Sequence, residues 1–176
     1  FVWVDSESDA EKAAKAYERA IVRDNIDVGY NTWHSWVSAS CMEVASKHKI
    51  PHFFSFGAGK IMNDKYNSNP EKYKYWVGKT WPLAEKLSIG YINSLETAIA
   101  NGTWKPKSRK VLVYGVDNDW GRAFGGAVKK QFEDAGWTVI GEEYVQLGET
   151  EFYPLLSKIK RQKVSVAVGS MSDPPS

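Results

Sequence analysis

The chain has 176 residues, with 23 Lys+Arg against 21 Asp+Glu and a single cysteine. Hydrophobic residues at 43% and charged residues at 25% exclude wholesale disorder. A net charge of +2 gives no overall electrostatic footprint for nucleic acid, and no apolar run approaches the roughly 20 residues of a membrane span.

The elements alternate between strand and helix. Phe1–Val4 is apolar and β-favouring, and reads as a strand. Ser8 with Glu11 fits a capping box, ahead of a helix with Ala10, Ala13, Ala14, Tyr17 and Ile21 on one face. Residues 26–30 read as a second strand. Val37, Cys41, Val44, Ala45 and His48 mark a helix over 35–48, and residues 52–56 form a strand before Gly57-Ala58-Gly59. Residues 60–72 read as a polar loop and 75–80 as a strand.

The second half repeats the alternation. Ala84, Leu87, Tyr91, Ile92, Leu95, Ala98 and Ile99 keep one helical stripe apolar, and Asn101-Gly102 stops that helix. Residues 110–115 form a strand. Asp117-Asn118-Asp119 caps a helix carrying Phe124, Ala127, Val128, Phe132 and Ala135. A strand at 139–144 follows, then a helix capped by Thr150, then a strand at 164–168. This order predicts an α/β fold with Rossmann-like parallel sheets and helices on both faces. The chain opens inside a predicted strand and stops just past another, so it reads as a fragment of a longer protein.

Few chemistries survive a search of the residues. The three histidines, His34, His48 and His52, show no metal-ligand spacing, and one cysteine builds no zinc site. Gly57-Ala58-Gly59-Lys60 lacks the spacing of a phosphate loop. Cys41 falls mid-helix on the apolar face, where a cysteine acts as a small hydrophobe. No catalytic residue, metal site or cofactor is nominated.

What remains is the set of strand ends, where open parallel sheets bind ligands. Ser35 and Thr32 fall at a helix start, whose amides suit a carboxylate or another electron-rich group. Gly57, Ala58 and Gly59 allow close approach to backbone. Trp33, Trp36, Phe56, Trp81 and Trp120 are candidates to wall a pocket or box in a cation.

At these residues the chain resembles the type I periplasmic binding proteins, the ligand-binding receptors of branched-chain amino acid and amide ABC transporters. The resemblance rests on an ordered set of short motifs. Asp5-Ser6-Glu7-Ser8-Asp9 is similar to the family's acidic turn, and Ile50-Pro51 with Phe54-Ser55 to its "G-I-P-x-I-S" strand. Residues 75–80 resemble "Y-x-F-R-T", with Lys79 in place of Arg. Asp117-Asn118-Asp119-Trp120-Gly121 resembles "D-D-x-Y-G", and Gly148-Glu149-Thr150-Glu151-Phe152 resembles "G-x-x-D-F".

The resemblance implies parts of two lobes, residues 1–80 and 81–176, with ligand clamped between them. It implies ligand contacts at Ser35, Gly57, Ala58, Gly59 and Trp120, with Met171 near a further position. Trp33 and Trp81 join them as aromatic walls, Trp33 and His34 lying in a loop about two residues longer than the family pattern. Gly59 stands where the family often has Thr or Ser, so a hydroxyl expected to help hold an α-amino acid is missing. The expected function is an exported, non-enzymatic solute receptor, periplasmic or extracellular. It would capture an amino acid, amide or aromatic acid and deliver it to an ABC transporter permease. A ligand-sensing domain of a regulator is the alternative reading, and an α/β enzyme a weaker one.

Overall fold

A computed structural model describes residues 1–57 and 59–170. In chain order the elements are α1 (Ala10–Val22), β1 (Gly29–Thr32), α2 (Ser35–His48), β2 (His52–Ser55), α3 (Ile61–Ser68) and α4 (Pro70–Tyr73). Then come α5 (Ala84–Ala100), β3 (Lys110–Val116), α6 (Asp119–Asp134), β4 (Thr138–Val145), α7 (Tyr153–Gln162) and β5 (Val166–Ser170). The chain divides into two units, Phe1–Leu83 and Ala84–Ser176, so Trp81 goes with the first.

In the first unit β1 and β2 pair in parallel, with Gly29 opposite His52 and Thr32 opposite Ser55. The predicted strand at 75–80 is realised only as two parallel bridges, His52 to Trp76 and Ser55 to Lys79. Gly78 between them has no side chain to pack, which weakens a strand at its middle. Ala13 and Tyr17 of α1 share a core with Val37, Cys41, Met42, Val44 and Ala45 of α2. Cys41 behaves as the small hydrophobe expected, its thiol pushed up to about 11 by burial.

Four expectations need correction in this unit. Phe1–Val4 is not a strand; it has no ladder partner among the described residues, and Phe1 and Trp3 are exposed. The cap of α1 is Asp9, which accepts the Lys12 N–H at 2.7 Å, while Ser8 Oγ turns to His34 Nε2. The second strand begins at Gly29, not residue 26, because its ladder starts where Gly29 N–H reaches the Pro51 carbonyl at 2.9 Å. Residues 60–72 are not a loop but carry α3 and most of α4. The Asn69 side chain caps α4, and Met62 and Tyr73 anchor the two helices in the core. Glu43 of α2 ties them down. Burial alone would raise its pKa, but hydrogen bonds from Lys65, Lys72 and Tyr73 outweigh that and bring it to about 2.

In the second unit the strand order is β4-β3-β5, all parallel. Central β3 buries Val111, Leu112, Val113 and Val116. Phe124, Val128 and Phe132 of α6 complete this core with Trp137 and Ile92 of α5. Glu96 of α5 clasps the sheet, accepting Trp137 Nε1–H at 2.6 Å and Arg109 Nη2–H at 2.8 Å. Asn118 caps α6 as expected, through the Gly121 N–H at 2.8 Å. Thr150 does not cap α7. The helix begins past Phe152 without a side-chain cap, and Glu149 accepts the Thr150 and Glu151 amides instead.

Gly121 lets α6 start directly on the end of β3. A Cβ there would stand 1.9 Å from the Val116 carbonyl oxygen, a backbone atom that cannot rotate away. Gly121→Ala should therefore lower the stability of this unit by about 3 kcal/mol, read as a drop in the urea midpoint.

His52 gives a second test. It is 2% exposed, its Nδ1 lies 3.1 Å from Tyr17 OH, and Trp76 stacks on the ring at 4.2 Å. Its Nε2 has no hydrogen-bond partner among the described residues. Burial lowers its pKa from 6.5 to about 4, so the folded protein holds it neutral while the unfolded chain takes up a proton. Its contribution should be whole above pH 6.5 and lost as pH falls to about 4. The loss should be about 3 kcal/mol, visible in denaturation curves against pH and flattened in His52→Gln.

Candidate functional site

The C-terminal ends of β1 and β2 meet the start of α2. Ser35, the first residue of α2, is 1% exposed. Its Oγ accepts the Gly59 N–H at 2.9 Å, so the side chain fixes the loop after β2. A Cβ at Gly59 would fall 2.8 Å from Ser35 Oγ, and one at Gly57 would fall 2.9 Å from Ser35 Cα. No other residue fits at either position without moving Ser35, so backbone itself forms this surface.

The start of α2 is electropositive. His34 is its N-cap with no side-chain cap bond, and the first turn holds no acidic residue. The first amides of a helix have no intrahelical partner and carry the positive end of its dipole. Lys79 Nζ adds a cation at this corner, donating to the Gly59 carbonyl and to Asn63 Oδ1, each at 3.2 Å.

Aromatic rings flank this backbone. Phe56 lies between Trp33, with ring centroids 5.5 Å apart, and Trp81, at 6.0 Å. Trp33 is 59% and Trp81 42% exposed, an uncommon state for large indoles. The structure thus brings together Ser35, Gly57, Gly59, Trp33 and Trp81 from the sequence expectation. Ala58 and Met171 lie outside the described residues. Trp120 belongs to the second unit, in the first turn of α6, half-buried against Phe124 at 5.0 Å. Trp36 is not a wall of this surface; its Nε1–H donates to the Ser8 carbonyl and its ring stacks on His34. Thr32 Oγ1 is bonded to Ser38 Oγ at 2.5 Å. The sequence reading missed the role of Lys79, although its place in the strand motif was visible.

Among the described residues no group of three or more His, Cys, Asp or Glu is placed to hold a metal ion. His48 is bonded to Glu18 and His52 to Tyr17, so these two serve packing. The arrangement suits binding of a small molecule with an electron-rich head and a flat body.

A family model described as periplasmic binding protein matches residues 1–176. The chain belongs to the periplasmic binding protein family. Its parallel sheets and crossing helices are those of the type I periplasmic binding fold.

Solved structures of this fold superpose on this chain. One is a solute binding protein of an ABC transporter from Rhodopseudomonas palustris HaA2 in complex with p-hydroxybenzoic acid. It is 19% identical, with a TM-score of 0.74 over 95% of this chain and 41% of its own. A second, from Rhodopseudomonas palustris BisB5 with 3,4-dihydroxybenzoic acid, is 20% identical, with a TM-score of 0.72 over 93% of this chain and 40% of its own. A leucine binding protein from Thermotoga maritima is 17% identical, with a TM-score of 0.70 over 94% and 43%. At these identities the likeness shows the fold. The chain spans about two fifths of the length of these proteins.

The bond between Ser35 and the loop is open to test. Ser35→Ala removes the acceptor of a buried amide and should cost about 1–2 kcal/mol in urea denaturation. Ser35→Thr keeps the hydroxyl and should retain more of that stability.

Proposed function

We propose that the protein is an extracytoplasmic solute receptor, not an enzyme. It would capture a small molecule at the Ser35–Gly59 corner and present it to an ABC transporter permease. The observation that carries this reading is the juxtaposition just described: uncapped helix amides, side-chain-free backbone at Gly57 and Gly59, and exposed rings at Trp33 and Trp81. Such a surface binds and orients a small molecule.

The amides at the head of α2 would take a carboxylate or amide oxygen, with Lys79 reinforcing the polarity. Trp33 and Trp81 would cover the body of the ligand. Trp120 would contribute an aromatic wall from the second unit. The two units would then be parts of the two lobes, and ligand would draw the equilibrium towards a closed form. The aromatic walls favour an aromatic acid over an aliphatic amino acid, and p-hydroxybenzoic acid in the Rhodopseudomonas palustris protein fits that preference. Periplasmic or extracellular placement follows from the receptor role.

Isothermal calorimetry on the full-length protein tests this with aromatic acids, amides and α-amino acids. Saturable binding of one class without turnover is expected. Trp33→Ala and Trp81→Ala should each weaken binding about tenfold or more, through lost stacking and ring burial. Absence of binding across all three classes, or unchanged affinity in both variants, overturns the proposal.

A further inference from the structure

The turn that ends α5 carries a sequence that solute binding does not use. Asn101-Gly102-Thr103 follows directly on Ala100, and all three residues are exposed. An asparagine followed by glycine is open to attack from its own main chain, because glycine has no Cβ to shield its nitrogen. Every other asparagine of the chain precedes a bulkier residue. Asn67 and Asn93 are also exposed, and both precede serine.

The fold adds to this local disposition. Thr103 N–H donates to Asn101 Oδ1 at 3.0 Å, and the Thr103 hydroxyl donates to the same oxygen at 2.6 Å. A main-chain N–H only donates, so the atom held there is the oxygen of the Asn101 amide. The first bond closes a ring that contains the Gly102 main chain, so the side-chain amide and the Gly102 nitrogen belong to one tight turn. Both bonds draw electrons from Cγ. They are placed to stabilise an oxyanion on Oδ1, as paired donors do at the tetrahedral centre of acyl transfer.

Little opposes the attack. Gly102 has φ +76, and a Cβ there would meet nothing within 4 Å, so the space around it is open. Gly102 N–H donates to the Ile99 carbonyl at 3.1 Å, in the last turn of α5. That bond must break first, and bonds at a helix end open at little cost.

We propose that Asn101 is a site of spontaneous deamidation. Solvent base takes the Gly102 N–H proton, and the nitrogen attacks Asn101 Cγ. The new C–N bond closes a succinimide ring, the Cγ–Nδ2 bond breaks, and ammonia leaves carrying a proton equivalent to the one removed. Water then adds to either ring carbonyl and opens it. Addition at Cγ gives aspartate; addition at the main-chain carbonyl gives isoaspartate, with the chain rerouted through the side chain. Water is the only co-reactant, and nothing is oxidised or reduced. The same three residues are an acceptor sequence for an N-linked glycan. That reaction needs an enzyme and an activated sugar donor, whereas deamidation needs neither.

Either product changes the end of α5. Its carboxylate meets the negative end of the helix dipole. Isoaspartate also lengthens the main chain by a methylene shortly before Trp104. Trp104 N–H bonds to the Ala98 carbonyl at 3.0 Å, and its ring lies parallel to that of Trp137 at 6.3 Å, against the second unit's core. Ageing of the protein would thus loosen an anchor of that core.

The test incubates the full-length protein in warm, weakly alkaline buffer and follows its peptides by mass spectrometry. The Asn101 peptide should gain about 1 Da, as oxygen replaces NH, well ahead of the Asn67 and Asn93 peptides. An isoaspartyl methyltransferase should label it. Gly102→Ala should slow the gain about tenfold or more, by crowding the attacking nitrogen. Thr103→Val should slow it about fivefold, the worth of one exposed hydrogen bond. In urea the parent and Thr103→Val should react equally, because the turn is gone. Thermal unfolding checks that both variants fold. An Asn101 peptide no faster than those of Asn67 and Asn93, or an unchanged rate in Gly102→Ala, overturns the proposal. A gain of sugar mass at Asn101 overturns it in favour of a glycan. Equal rates in folded parent and folded Thr103→Val overturn the part assigned to Thr103.

Discussion

Both units depend on one constraint, that a helix must begin where a strand ends with no side chain between them. In the first unit Gly57 and Gly59 lie against Ser35, and the Gly59 amide closes the contact by donating to Ser35 Oγ. In the second unit Gly121 lies against the Val116 carbonyl. Each contact sets the first turn of a helix against the strand ends. Ser35 is therefore a builder of the loop: it is 1% exposed, and its side chain holds the Gly59 amide.

Much of this architecture was legible in the sequence. The α2 span of 35–48 followed from the spacing of Val37, Cys41 and Val44, and the Asn118 cap from the polar run before an apolar helix. Local chemistry decided both. The errors came where tertiary contacts outvoted it. Phe1–Val4 has strand-forming residues but no ladder partner among the described ones. Residues 60–72 look like a loop from their asparagines and proline, yet Met62 and Tyr73 find a core, and Glu43, thirty residues before Tyr73 and outside any local window, receives three hydrogen bonds. Ser8 and Asp9 were equally good caps on composition, and His34 drew Ser8 away. For the site, types and neighbours could be read, but not the division of labour among tryptophans. Trp33 and Trp36 are three residues apart, and only the fold shows that one faces outwards while the other bonds to the Ser8 carbonyl.

Charge is distributed by a different logic from apolar burial. The carboxylates of the first unit tie helices to one another: Glu43 joins α2 to α3 and α4, and Glu18 joins α1 to α2. Glu96 likewise ties α5 to Arg109, just ahead of β3. In the second unit Glu142 and Glu143 of β4 pair with Lys129 of α6 and Lys158 of α7.

The sorting of indoles by environment also has an optical consequence. Trp76 and Trp137 are buried in different units, whereas Trp3, Trp33 and Trp81 face water. Emission from the first pair falls to the blue and from the second set to the red. A molecule seated on Trp33 and Trp81 would perturb the red side of the spectrum, while loss of either core would drain the blue. A single emission spectrum then separates occupancy from unfolding with no label, and substituting Phe for Trp3 removes the one red emitter that belongs to neither.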